Sequence, residues 1–108
     1  FGQLKESPEM IWLPELQRMK GDLLLRLGGG VDEARGWYRR GMETARAQFS
    51  RLLELRAAAS LCRLEMQVGP GPGKDGVVAA LKSLAGWFPS DLDLPDLQDA
   101  RSLLTQIS

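Results

Sequence analysis

Apolar positions along this chain recur with a helical period. Leu16, Met19, Leu23 and Leu27 follow i, i+3, i+7, i+11 spacing and predict the buried face of a helix over 13–27. Gly28-Gly29-Gly30 ends it, because consecutive glycines lose too much backbone entropy to stay helical and accept left-handed angles. Asp32 and Glu33 then suit the start of a second helix, whose inward stripe is Ala34, Tyr38, Gly41, Met42, Ala45 and Phe49. A third helix is expected over 51–67 on Leu52, Leu55, Ala59, Cys62 and Met66, widened by Ala58 and Leu61. Its run Ala57-Ala58-Ala59-Ser60 is small-sided and marks where a neighbouring helix crosses closely. Gly69 to Gly73 is a flexible connection, and a fourth helix over 75–88 turns Val77, Leu81, Leu84 and Phe88 inward before Pro89 stops it. A fifth starts near Pro95 with Leu97, Ala100, Leu104 and Ile107 inward and polar residues elsewhere.

Residues 14–49 echo residues 52–88: striped helix, glycine-rich break, striped helix. Helical hairpins of this kind cannot bury their apolar faces singly, so they stack. The expected fold is therefore all-α, with two hairpins and a capping helix over 94–108 in one repeat domain, 13–108. Ser7-Pro8-Glu9 resembles a helix start, but Pro14 fits best in the first turn of the 13–27 helix. Residues 1–12 are then the end of a preceding element or a linker. A start at Phe1 instead of methionine reads as a fragment of a longer protein.

Charge and chemistry change this picture little. The 14 basic and 14 acidic residues cancel, which argues against nucleic-acid binding by this segment. There is no histidine, so histidine catalysis and histidine metal ligation are excluded. The single cysteine, Cys62, lies on an apolar stripe and reads as a buried structural thiol. No apolar run approaches a membrane span and no signal peptide is visible, so the expected setting is cytoplasmic, away from membranes. Gly69-Pro70-Gly71-Pro72-Gly73-Lys74 fails as a phosphate loop: Val68 stands where its first glycine belongs and Asp75 where Ser or Thr should follow the lysine. Asp91, Asp93, Asp96 and Asp99 lack the spacing of a calcium loop and read as a solvated turn leading into a helix start. With no nucleophile–base pair or metal cluster, the segment is expected to be non-catalytic and without cofactor.

Both hairpins resemble tetratricopeptide repeats. Gly21 matches the repeat's glycine, Leu24 its large residue, Ala34 its alanine, Tyr38 its aromatic and Gly41 a second small site, while Gln17 and Lys20 depart. In the second hairpin Ala59, Cys62, Val77 and Leu81 take the corresponding places. More of the chain is similar to the C-terminal end of large bacterial signalling ATPases with a nucleotide-switch module of the AP-ATPase kind, often fused to a cyclase or winged-helix domain. That resemblance rests on Gly86-Trp87-Phe88 and Leu94-Pro95-Asp96-Leu97 with the segments before them in order; Gly69–Lys74 replaces a short turn. It implies a protein-interaction or sensor segment of a signalling or transcription regulator, holding a protein or upstream domains of the same chain. The first helix of each hairpin would line the binding face, with Arg18, Asp22, Arg26, Arg56, Ser60 and Arg63 as its candidate residues. The alternative is a purely structural C-terminal cap of a longer helical solenoid with no ligand; such a cap is dressed on one face only.

Overall fold

The computed structural model describes residues 12–69 and 72–107. The expectation for residues 1–12 therefore falls, apart from Trp12, outside the described residues. Five helices follow one another: α1 (Leu13–Arg26), α2 (Val31–Ala47), α3 (Arg51–Val68), α4 (Pro72–Trp87) and α5 (Pro95–Ile107), with no strand among the described residues. None is long and apolar enough to cross a membrane.

Local chemistry sets the boundaries. Pro14 sits in the first turn of α1, where its missing N–H costs nothing. At the other end Gly28 turns left-handed (φ 80°), Gly28 N–H donates to the Leu25 carbonyl and Gly29 N–H to the Leu24 carbonyl at 2.7 Å. This paired closure satisfies carbonyls that the helix end would orphan. α2 closes the same way, with Phe49 N–H on the Arg46 carbonyl and Ser50 N–H on the Ala45 carbonyl. Here the left-handed residue is Phe49 (φ 59°), not a glycine. Phe49 therefore does not continue the buried α2 stripe: the turn swings it outward and leaves it 92% exposed. Ser50 then caps α3 through its hydroxyl, which accepts from Leu53 N–H. α4 begins at Pro72, three residues earlier than its apolar stripe indicates. The segment before α5 is fastened by Arg101, whose guanidinium donates to the carbonyls of Pro89 and Leu92.

Consecutive helices pack together, and α3 also touches both α1 and α5, whereas α2 and α4 do not meet. The molecule is a slab 47 × 38 × 22 Å, its thin dimension being two helix diameters. Leu55, Leu61, Cys62, Leu81, Leu97 and Ala100 are buried at its centre. Phe88, Leu52, Met66, Leu104 and Ile107 border this core partly buried. The small-sided run of α3 works as expected at Ala57, which faces Gly41: a Cβ on Gly41 would stand 3.5 Å from that of Ala57.

The stripe that defined the first helix in the sequence is not its buried face. Leu16, Met19 and Leu23 are 53–54% exposed and Leu27 75%. α1 instead turns Pro14 and Gly21 inward, with Leu25 against the core and Leu24 half-buried. The reason is steric. The Tyr38 ring of α2 fills the space beside Gly21 so fully that a Cβ there would lie 2.8 Å from Tyr38 Cε1. Beside the ring the inner face needs a small residue, and Leu16, Met19, Leu23 and Leu27 are left outside.

Candidate interaction surfaces

Two surfaces stand out. The first is a groove along α1, α3 and α5. Glu15 and Arg18 of α1, Arg56, Ala59, Ser60 and Arg63 of α3, and Asp96 and Asp99 of α5 line a cleft of about 270 Å³. A second hollow, sharing Arg18, Ser60 and Arg63, extends it to Asp22, Leu25 and Tyr38. Five of the six residues singled out by sequence thus share one continuous groove. Arg26 does not: it lines, with Leu16, Met19, Lys20 and Leu23, a hollow on the outer side of α1 that Arg18 and Asp22 also border.

Sequence reading missed three carboxylates of this groove, Glu15, Asp96 and Asp99. Arg18 chelates Glu15 through two N–H groups at 3.0 Å and donates to Asp22 at 3.0 Å. Arg56 bonds Asp96 at 2.9 Å and approaches Glu15 at 3.5 Å, and Arg63 pairs with Asp99. Three pairs of opposite charge stand at i, i+4 in α1 and α2: Arg18–Asp22 forms, whereas Asp22–Arg26 and Arg39–Glu43 are not among the ion pairs of the described residues. Asp22 instead accepts the Tyr38 hydroxyl at 2.5 Å. The signal for two of them was the i, i+3 spacing of Asp96 and Asp99, which places both on one face of α5. Only the docking of α5 on α3 turns that face toward Arg56 and Arg63.

The electrostatics follow. Burial alone would raise the Glu15 carboxyl, but hydrogen bonds from Arg18 and the charges of Arg18 and Arg56 outweigh it and hold it below its ordinary value. Burial and the hydrogen bond to Asp22 push Tyr38 up, so its hydroxyl stays a donor. Burial likewise pushes the Cys62 thiol up, against the nearby charges of Lys74 and Arg63, which leaves it a poor nucleophile. No group of three or more metal-ligating side chains converges among the described residues. The groove's arginines already hold carboxylates, so an acidic peptide would have to displace Glu15, Asp96 and Asp99.

The second surface is the outer side of α1, where Trp12 (55% exposed) joins Leu16, Met19, Leu23 and Leu27 in one apolar strip. Nothing comparable exists on α5, whose Gln98, Ser102, Thr105 and Gln106 face solvent.

Between α2 and α3 lie two further ion pairs. Arg35 grips Glu65 with two hydrogen bonds, 2.7 and 2.8 Å, and Arg46 bonds Glu54 at 2.9 Å. Both glutamates are buried. Hydrogen bonding to Arg35 outweighs burial and lowers the Glu65 carboxyl from its ordinary 4.5. Glu15 and Glu65 are thus both more acidic folded than unfolded. Their stabilisation is complete above the unfolded value and is lost as pH falls through the depressed folded values. Urea midpoints should therefore drop progressively below about pH 4.5, and Glu65→Gln should flatten that slope. An equally steep acid slope in Glu65→Gln would remove Glu65 from the account.

Comparison with known proteins returned no match, whether to a protein family, a curated protein or a solved structure.

Proposed function

We propose that this chain is a non-catalytic helical-repeat interaction unit that docks through the outer face of α1 and closes a helical stack at α5. The observation that carries this reading is one-sided dressing, the feature expected of the end-cap alternative: an apolar strip on α1, polar residues on the outside of α5. A face of several large exposed apolar side chains in a row is characteristic of a contact surface. The tetratricopeptide-like assignment is supported by Gly21 against Tyr38, with Ala34 and Gly41 buried where that repeat has its small residues. On the resemblance to bacterial signalling ATPases, the partner is a protein or an upstream domain of the same polypeptide in a cytoplasmic signalling or transcription regulator. Its docking would bias the parent's switch between states. The self-neutralised groove favours this end-unit reading over capture of an acidic ligand by Arg18, Arg56 and Arg63.

The triple variant Leu16→Gln, Met19→Gln, Leu23→Gln tests it. Exposed side chains contribute little to the fold, so stability should change by less than about 0.5 kcal/mol. Binding of a hydrophobic dye to the wild type should fall sharply in the variant. A loss of more than about 2 kcal/mol, with no dye binding by the wild type, would mean that the face is already covered within the chain.

A further inference from the structure

The turn between α2 and α3 differs from the other connections between helices. Those contain Gly28-Gly29-Gly30, Gly69-Pro70-Gly71 and Pro89, residue types that end helices. Gln48-Phe49-Ser50 contains neither glycine nor proline. The backbone is nevertheless left-handed at Phe49 (φ 59°), where a bulky L side chain is strained. With its ring 92% exposed, Phe49 has little packing to offset that strain. The residues on either side are in phase for a single helix. Tyr38, Gly41 and Ala45 of α2, then Phe49, then Leu52 and Leu55 of α3 follow one another in steps of three or four, as one helix face does. The face that α2 and α3 turn to each other is in phase as well. Arg35 holds Glu65 and Arg46 holds Glu54. On an unbroken helix these four side chains fall within about a third of the circumference.

We infer that this turn is a hinge through which two copies of the chain exchange their α1–α2 units. On opening, residues 47–51 become helical and α2 and α3 fuse into one helix. That helix is self-complementary. Laid antiparallel against its counterpart, it sets Arg35 and Arg46 of each copy against Glu65 and Glu54 of the other. The cut is clean, because among the described helices α1 and α2 pack across the turn only against α3. The α1–α2 unit of one copy therefore settles on α3–α5 of its partner and remakes the contacts it left. The exchange releases the strain at Phe49, and a short strained connection is what favours such swapping. The cap that Ser50 gives α3 is lost, and hydrogen bonds of the continuous helix replace it. The partner is thus a second copy of this chain, and the outer face of α1 stays outside on both copies.

The intact 108-residue chain, refolded from urea at high concentration, should contain a dimer that sedimentation velocity resolves from the monomer. Phe49→Gly removes the strain and weakens the fused helix, so it should weaken the dimer at least about tenfold. Ser50→Ala removes the α3 cap and favours the fused helix, so it should strengthen the dimer by a similar factor. Complementary charge variants locate the contacts. Arg35→Glu and Glu65→Arg each set like charges together within their own chain, whereas an exchanged dimer of one with the other meets opposite charges at both places. Refolded together, the two should form this mixed dimer at least about tenfold in preference to either variant's own dimer. Monomer alone at every concentration overturns the inference. So does a dimer that Phe49→Gly weakens and Ser50→Ala does not strengthen, since that is the signature of two exposed rings in contact. A statistical mixture of dimers from the charge variants, or a mixture that stays monomeric or unfolded, overturns it too. A dimer abolished by Leu16→Gln/Met19→Gln/Leu23→Gln would be association through α1 and equally overturns it.

Discussion

Tyr38→Ala should cost about 4 kcal/mol of folding stability, the largest effect of any single truncation argued from this structure. The ring is 2% exposed and is what α1 closes upon. It presses against Gly21 at a distance that leaves no room for a Cβ, and its hydroxyl reaches Asp22 across the same interface. Removing it opens a cavity beside Gly21, which has no side chain to fill it, while Leu16, Met19, Leu23 and Leu27 lie on the exposed face of α1. Tyr38→Phe separates the two contributions. It keeps the ring and removes one hydrogen bond, and it should cost only about 1 kcal/mol, since Asp22 stays bonded to Arg18 and partly solvated. The converse change, Gly21→Ala, forces a methyl against the ring and should cost about 1–3 kcal/mol. Urea denaturation of the three variants checks the set. A loss below about 1 kcal/mol for Tyr38→Ala would show that α1 does not close on this ring.

Arg35→Ala should cost about 3 kcal/mol, because it strands the Glu65 carboxylate in the α2–α3 interface. Glu65 is 3% exposed, and both of its oxygens are held by Arg35. The pair itself need not be worth that much, since two charges had to leave water to make it. Replacing both partners together, Arg35→Leu with Glu65→Leu, should therefore recover most of the loss. Denaturant melts of the two single variants and the double one form the cycle. If the double variant is as unstable as Arg35→Ala, packing and not the stranded charge sets the cost.

The helix order, the breaks at Gly28–Gly30 and before Pro95, and most of the core were legible in the residues because they depend on local rules. Ala34, Tyr38, Ala59, Cys62, Val77 and Leu81 follow helical period, and all are buried. Arg56 and Arg63 could be placed on one face because seven residues are two helical turns. Glu15, Asp96 and Asp99 could not be added to that face from spacing. They come from two other helices, and their charge becomes part of the groove only through docking. Phe49 fits the α2 stripe by period; it fails because the backbone closes one residue earlier and passes through a left-handed angle.

α1 shows the division most clearly. Periodicity correctly specifies a helix there, with large aliphatic residues on one face and Pro14 and Gly21 on another. It does not say which of two faces meets the protein. A leucine stripe is equally stable against the chain's own core or against another molecule, since burial energy depends on the area removed from water and not on whose atoms remove it. The choice fell to Tyr38, whose bulk demands Gly21 beside it and so turns Leu16, Leu23 and Leu27 outward. The sequence alone determined the helices and their polarity. The packing of one aromatic ring decided which side of α1 faces outward.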